Sequence, residues 1–118
     1  MKNRHLFFRM GFALNGLKVA FPAEKSLRFQ LIVAACALIV LFVVQPALYW
    51  WAIVIAMIAM VMAAELFNTA LEILCDYVQP EQHEAIKKIK DISAAAVLVI
   101  SVAAAVIGIL FLVDAFLS

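Results

Sequence analysis

The stretch FQLIVAACALIVLFVVQPALYWWAIVIAMIAMVMAA, residues 29–64, holds no Asp, Glu, Lys or Arg in 36 positions. A helix needs about 20 apolar residues to cross a bilayer core. The run is too long for one crossing, and Gln45-Pro46 interrupts it where a proline cannot continue a helix. It therefore reads as two membrane-spanning helices joined by a tight turn. A second uncharged run of 22 residues, Ile92 to Val113, adds one more crossing. Three spans put the two ends of the chain on opposite sides of the membrane.

Composition points the same way. The 118 residues are 69% hydrophobic and 14% charged, with a mean hydropathy of +1.13. Soluble domains are roughly 45–50% apolar and about 25% charged. A small soluble domain could not hide this much apolar surface, because so much of it stays exposed. An ordinary cytosolic enzyme, a nucleic-acid binder and a disordered tail are all excluded. The net charge of +1 gives no reason to expect a polyanionic partner.

Charge placement sets the expected orientation. All nine basic residues, Lys2, Arg4, Arg9, Lys18, Lys25, Arg28, Lys87, Lys88 and Lys90, precede the first span or lie between the second and third. The positive-inside rule then puts the N-terminus and the second loop in the cytoplasm and the C-terminus outside. Tyr49, Trp50 and Trp51 form an aromatic belt at the outer interface. Cys36 and Cys75 fall inside spans and read as small apolar packing residues rather than a disulfide. No small-residue cleavage site accompanies the first apolar run, so a signal peptide is not expected.

The expected architecture is an all-α membrane protein, a single domain over residues 1–118. A basic, aromatic-bearing surface helix covers about 3–21 and ends at Pro22. Spans follow over about 27–44, 47–78 and 85–116, and Gln79 to Glu84 is the cytoplasmic loop. Ala94 to Ala96 and Ala103 to Ala105 permit close helix approach in the third span. Asp114 reads as a solvated helix end.

The chemistry concentrates at the inner end of the second span. Entered near Tyr49, that span leaves the hydrocarbon near residue 69, so Glu65 sits inside the membrane close to its cytoplasmic face. At about 100° per residue, Glu65, Asn68, Thr69, Glu72 and Asp76 share a stripe roughly 100° wide. Intramembrane carboxylates are costly and mark function by default. Three on one face repel unless a cation neutralises them, and a hard ion such as Mg²⁺ suits carboxylate oxygens. Glu72 and Asp76, nearer water, are placed to hold it, and the more buried Glu65 to accept a proton. Lys90 and Asp91 open the third span at the same level, making Lys90 a candidate phosphate ligand. Glu24 precedes the first span, where it completes a metal site or pairs with Arg28. No phosphate-binding glycine motif is present. Residue chemistry alone reaches a membrane protein with a carboxylate-rich, cation-binding site at its cytoplasmic face.

The segment Glu65-Leu66-Phe67-Asn68-Thr69-Ala70-Leu71-Glu72, with Asp76 beyond it, resembles the signature of the small bacterial diacylglycerol kinases. So do Lys90 to Leu98 and the N-terminal Asn15-Gly16-Leu17-Lys18, Glu24 and Leu27-Arg28. The resemblance implies a homotrimer of three-span subunits in the bacterial inner membrane. It implies transfer of the γ-phosphate of MgATP to the hydroxyl of a membrane lipid. By residue it implies Glu65 as the catalytic base and Glu24 and Glu72 as Mg²⁺ ligands. Nucleotide contacts fall to Phe12, Glu24, Glu72, Glu81, His83, Lys90 and Asp91. Substrate contacts fall to Lys18, Arg28, Gln30, Glu65, Asn68 and Ala94, with Asn68 and Asp76 supporting.

Three departures bear on the substrate. Gln30 stands where diacylglycerol-type members carry a glutamate, Phe12 where a tyrosine is typical, and Trp51 where a basic residue is typical. Glu24-x-x-Leu27-Arg28-Phe29-Gln30 is similar to the branch acting on undecaprenol. Diacylglycerol is the first expectation and undecaprenol the alternative. A cation or proton carrier using Glu65, Glu72 and Asp76 is the reading from another class, and a structural subunit a third. A polar stripe facing lipid would go unsatisfied, so oligomerisation is expected, with Glu24 and Glu72 of one site supplied by different subunits.

Overall fold

A computed structural model describes residues 2–81 and 83–117, so Gln82 of the loop and Ser118 of the tail lie outside the described residues. The chain forms four helices: α1 (Lys2–Ala23), α2 (Lys25–Val44), α3 (Leu48–Val78) and α4 (Glu84–Leu117). Three of them, α2, α3 and α4, are long and apolar enough to cross a membrane. With 31 and 34 residues, α3 and α4 reach about 46 and 51 Å, well beyond a hydrocarbon core of about 30 Å. Their surplus carries the polar residues at the end of α3 and the start of α4.

The corner between α1 and α2 is tighter than expected. Rather than stopping at Pro22, α1 passes through it and ends at Ala23. The proline forfeits its own hydrogen bond, but the Glu24 N–H still reaches the Ala20 carbonyl at 3.0 Å and closes the last turn. Two carbonyls left free there are taken by one side chain: Arg28 Nη1 donates to Phe21 O and Pro22 O, each at 2.8 Å. Glu24 alone links the helices, in an extended conformation (φ −121°, ψ 114°).

The turn between α2 and α3 is built on Gln45, whose φ of 51° and ψ of 59° are left-handed. A side chain in that region costs roughly 1–2 kcal/mol. Two bonds offset it: the Gln45 N–H reaches Leu41 O at 2.8 Å, and its Nε2 reaches Phe42 O at 3.0 Å. Pro46 then prevents α2 from continuing.

Packing is most extensive between α3 and α4, less so between α2 and α3, and α1 leans on α2. Leu27, Ala34 and Leu41 are buried at seven-residue intervals along α2, the spacing of a left-handed helix seam. Val61, Glu65 and Thr69 form the buried row of α3. The molecule measures 54 × 44 × 22 Å, a thin layer that leaves Ile, Val and Leu side chains outward where lipid can cover them.

The aromatic belt is a clasp. Trp50 Nε1 donates to Asp114 Oδ2 at 2.8 Å and packs edge-on against Phe111 at 5.3 Å. Trp51 meets Phe42 at 4.9 Å in the same geometry. Asp114 is therefore not a merely solvated helix end; it ties α4 to α3. Trp50→Phe keeps a ring against Phe111 and removes the donor. The expected loss is about 1.5–3 kcal/mol, as for a hydrogen bond to a charged group, read as a lower melting temperature in detergent. Turnover should be unaffected, because Trp50 is about 22 Å along α3 from Glu65.

Candidate active site

The C-terminal half of α3 carries the polar residues singled out in the sequence, and the stripe expected there divides into separate roles. Glu65 and Thr69 are buried, at 4% and 3% exposure. Thr69 Oγ1 donates to the Glu65 carbonyl at 2.9 Å, so its hydroxyl serves the helix backbone and not the cluster. Gln30 of α2 sits within hydrogen-bonding reach of the Glu65 carboxyl. That contact follows from seating α2 on α3 below Leu27.

Glu24 meets Glu72 at the same level. Their carboxyls lie within hydrogen-bonding reach of one another, with Glu65 close enough to add its charge. Burial, then the Glu72 contact and charge, push the Glu24 carboxyl above its ordinary range, and the nearby Arg28 guanidinium works against this. Two carboxylates about 4 Å apart repel by about 4 kcal/mol at an effective dielectric near 20, so the pair calls for a shared proton or a cation. Glu24 and Glu72 of one site were expected from different subunits. Within a single chain the one-residue corner already brings the two carboxyls together.

A hydrogen-bonded chain approaches Glu72 from the other side. Ser93 Oγ of α4 donates to Asn68 Oδ1 at 2.7 Å, and Asn68 Nδ2 donates to Glu72 Oε1 at 3.2 Å. Sequence reading placed Asn68 here but missed Ser93. The signal lay in a hydroxyl three residues beyond Lys90 on the α4 face that meets α3.

Other expected residues are committed elsewhere or exposed. Lys90 Nζ pairs with Asp76 Oδ1 at 2.7 Å, joining the start of α4 to the end of α3. Lys87 pairs with Asp91 at 2.8 Å one turn apart. His83 Nδ1 accepts the Ala85 N–H at 3.1 Å, capping the start of α4. Arg28 caps α1. Phe12 and Lys18 stand exposed on α1, Glu81 on the loop and Ala94 on α4, none of them packed into the carboxylate cluster.

An apolar cleft of about 530 Å³ runs between α2, α3 and α4 from Gln30 toward Phe111, lined by Ala34, Val61, Ala105 and Gly108 among others. Its inner end is therefore at the side chain that contacts Glu65. Among the described residues no group of three or more His, Cys, Asp or Glu could enclose a metal ion. Two carboxylates with open positions suit Mg²⁺, which retains water and takes further oxygens from phosphates. The donor set fits that ion.

Sequence comparison agrees with this geometry. The family model for prokaryotic diacylglycerol kinase matches residues 11–112. A diacylglycerol kinase of Sinorhizobium sp. is 34% identical over 100 residues, covering 85% of this chain and 72% of that protein. A diacylglycerol kinase of Haemophilus influenzae is 30% identical over 107 residues, covering 91% of this chain and 88% of that one. The match takes in α2, α3 and most of α4 together with the whole carboxylate cluster, and the chain belongs to the prokaryotic diacylglycerol kinase family of membrane-embedded lipid kinases.

Proposed function

We propose that the chain moves the γ-phosphoryl group of MgATP to the hydroxyl of diacylglycerol, giving phosphatidic acid, at the cytoplasmic face of a bacterial inner membrane. The observation that carries this reading is the Glu24–Glu72 carboxyl pair, with the charge of Glu65 close by, next to an apolar cleft that reaches Gln30. A lipid hydroxyl can reach the buried Glu65 from the hydrocarbon side while the nucleotide arrives from water. The basic residues of α1 and of the first turns of α2 and α4 favour the N-terminus inside and the C-terminus outside.

Phosphoryl transfer asks the protein chiefly for positioning and charge neutralisation. Glu65 accepts the hydroxyl proton as the lipid oxygen bonds to the γ-phosphorus, the bond to the bridging oxygen breaks, and ADP leaves with that electron pair. Glu24 and Glu72 are the residues that would hold Mg²⁺, whose charge offsets that of the phosphate oxygens. Lys90 and Asp91, with Glu81 and His83 of the loop and Phe12 of α1, are the proposed nucleotide contacts. Gln30 and Asn68 flank the lipid headgroup, with Lys18, Arg28 and Ala94 along its approach. We assign a homotrimer, which would cover faces that a single thin layer leaves open.

Undecaprenol is the second reading, favoured by the neutral Gln30 beside Glu65. A carrier would need a polar route through the outer half, where Trp50 and Phe111 close the packing. The test is labelled ATP with the purified chain in bicelles containing either lipid. Label should appear in phosphatidic acid. Label in undecaprenyl phosphate alone would change the substrate and keep the chemistry, and label in neither lipid would overturn the kinase assignment.

A further inference from the structure

The proposed reaction gives Ser93 no role, yet its hydroxyl is one of the few buried polar groups of the molecule, on a residue 8% exposed. It begins a directed chain: Ser93 Oγ donates to Asn68 Oδ1 at 2.7 Å, and Asn68 Nδ2 donates to Glu72 Oε1 at 3.2 Å. Direction matters because an asparagine amide has an accepting and a donating end, whereas an ionised carboxylate only accepts. An amide turned through 180° would set Oδ1 against the Glu72 oxygen, acceptor against acceptor. With Ser93 donating, the observed orientation makes two bonds and the turned one loses its bond to Glu72.

The geometry points to Ser93 as a positioning residue that orients the Glu72 carboxylate for metal binding by locking the Asn68 amide. This deepens the proposed reaction and rests on Glu72 being a metal ligand. Groups that orient a ligand in this way typically change metal affinity by about 10- to 100-fold when removed. Ser93 also lies one helical turn from Lys90, whose bond to Asp76 again joins α4 to α3. Two cross-links therefore fix the register of these helices beside Glu72, so that a shift of α4 would be felt by the carboxylate.

The test uses the full chain in bicelles with Mn²⁺ as the probe. Free Mn²⁺ is read by electron paramagnetic resonance in the presence of a non-hydrolysable ATP analogue, independently of turnover. Ser93→Ala should weaken Mn²⁺ binding about tenfold. It should also raise the Mg²⁺ concentration for half-maximal rate by more than it lowers the rate at saturating metal. Alanine is the best helix former, so the variant should fold, and its melting temperature checks this. Asn68→Ala should weaken binding at least as much, and the double variant no further, because Ser93 acts only through Asn68.

Wild-type Mn²⁺ affinity in Ser93→Ala would overturn the assignment, as would losses that add in the double variant. Glu72→Gln separates the two levels of the claim. If Glu72→Gln weakens Mn²⁺ binding and Ser93→Ala does not, Ser93 alone is misassigned. If Glu72→Gln leaves Mn²⁺ binding unchanged, the metal site falls and the role of Ser93 falls with it.

Discussion

Replacing Glu65 by glutamine should leave nucleotide binding intact and lower turnover by about 10²- to 10⁴-fold, the usual worth of a positioned general base. Glutamine keeps the shape and the contact with Gln30 while removing the group that takes the proton. The site around it should survive, because Thr69 bonds the Glu65 backbone carbonyl and not its side chain. The measurement pairs steady-state turnover with equilibrium binding of a fluorescent ATP analogue. Turnover within a few-fold of the parent would remove Glu65 from the base role. Loss of nucleotide binding would make it a structural residue of the cluster.

The spans were legible because a bilayer imposes a length and forbids charge. The run over residues 29–64 admits little besides two helices and a turn, and the spans expected from it, about 27–44 and 47–78, end within two residues of α2 and α3. The end of α1 was misread at Pro22. A proline in the last turn removes one bond but leaves the next, from Glu24 to Ala20, free to form. Asp114 was misread for a different reason. Its partner Trp50 is 64 positions away, and only the antiparallel pairing of α3 with α4 brings the two together.

In the site, helical periodicity placed Glu65, Asn68 and Glu72 on one face because all three lie on one helix. Periodicity could not tell that Thr69, on the same stripe, spends its hydroxyl on the backbone. Contacts between helices were harder still. Glu24 and Ser93 reach Glu72 from the α1–α2 corner and from α4, directly in one case and through Asn68 in the other. Such meetings depend on helix register, which a pattern within one segment does not encode. Arg28 illustrates the same limit: its charge suggested a partner in Glu24, and its guanidinium bonds the end of α1 while only its charge acts on Glu24.

Co-assembling Glu24→Gln with Glu72→Gln subunits should give a preparation as inactive as its components. Each variant alone should lose on the order of 10²-fold or more, since removing a metal ligand costs at least as much as removing a group that merely orients one. Glu24 is the single residue between α1 and α2, and α2 packs on α3, so its carboxyl meets Glu72 of the same chain. Every site in a mixed oligomer then carries one defect or the other. Were the two residues drawn from neighbouring subunits, random assembly at equal ratio would leave about a quarter of the sites intact. The experiment therefore asks for recovery near that level or none, with mixed oligomers verified by crosslinking tagged subunits. Recovery would mean that the corner of one subunit completes the site of the next, in place of the arrangement within one chain. Absence of recovery, with each variant still folded and embedded, would leave each subunit as the owner of a complete metal pair. Oligomer formation would then serve to cover polar and thinly packed faces, not to assemble the catalytic carboxylates.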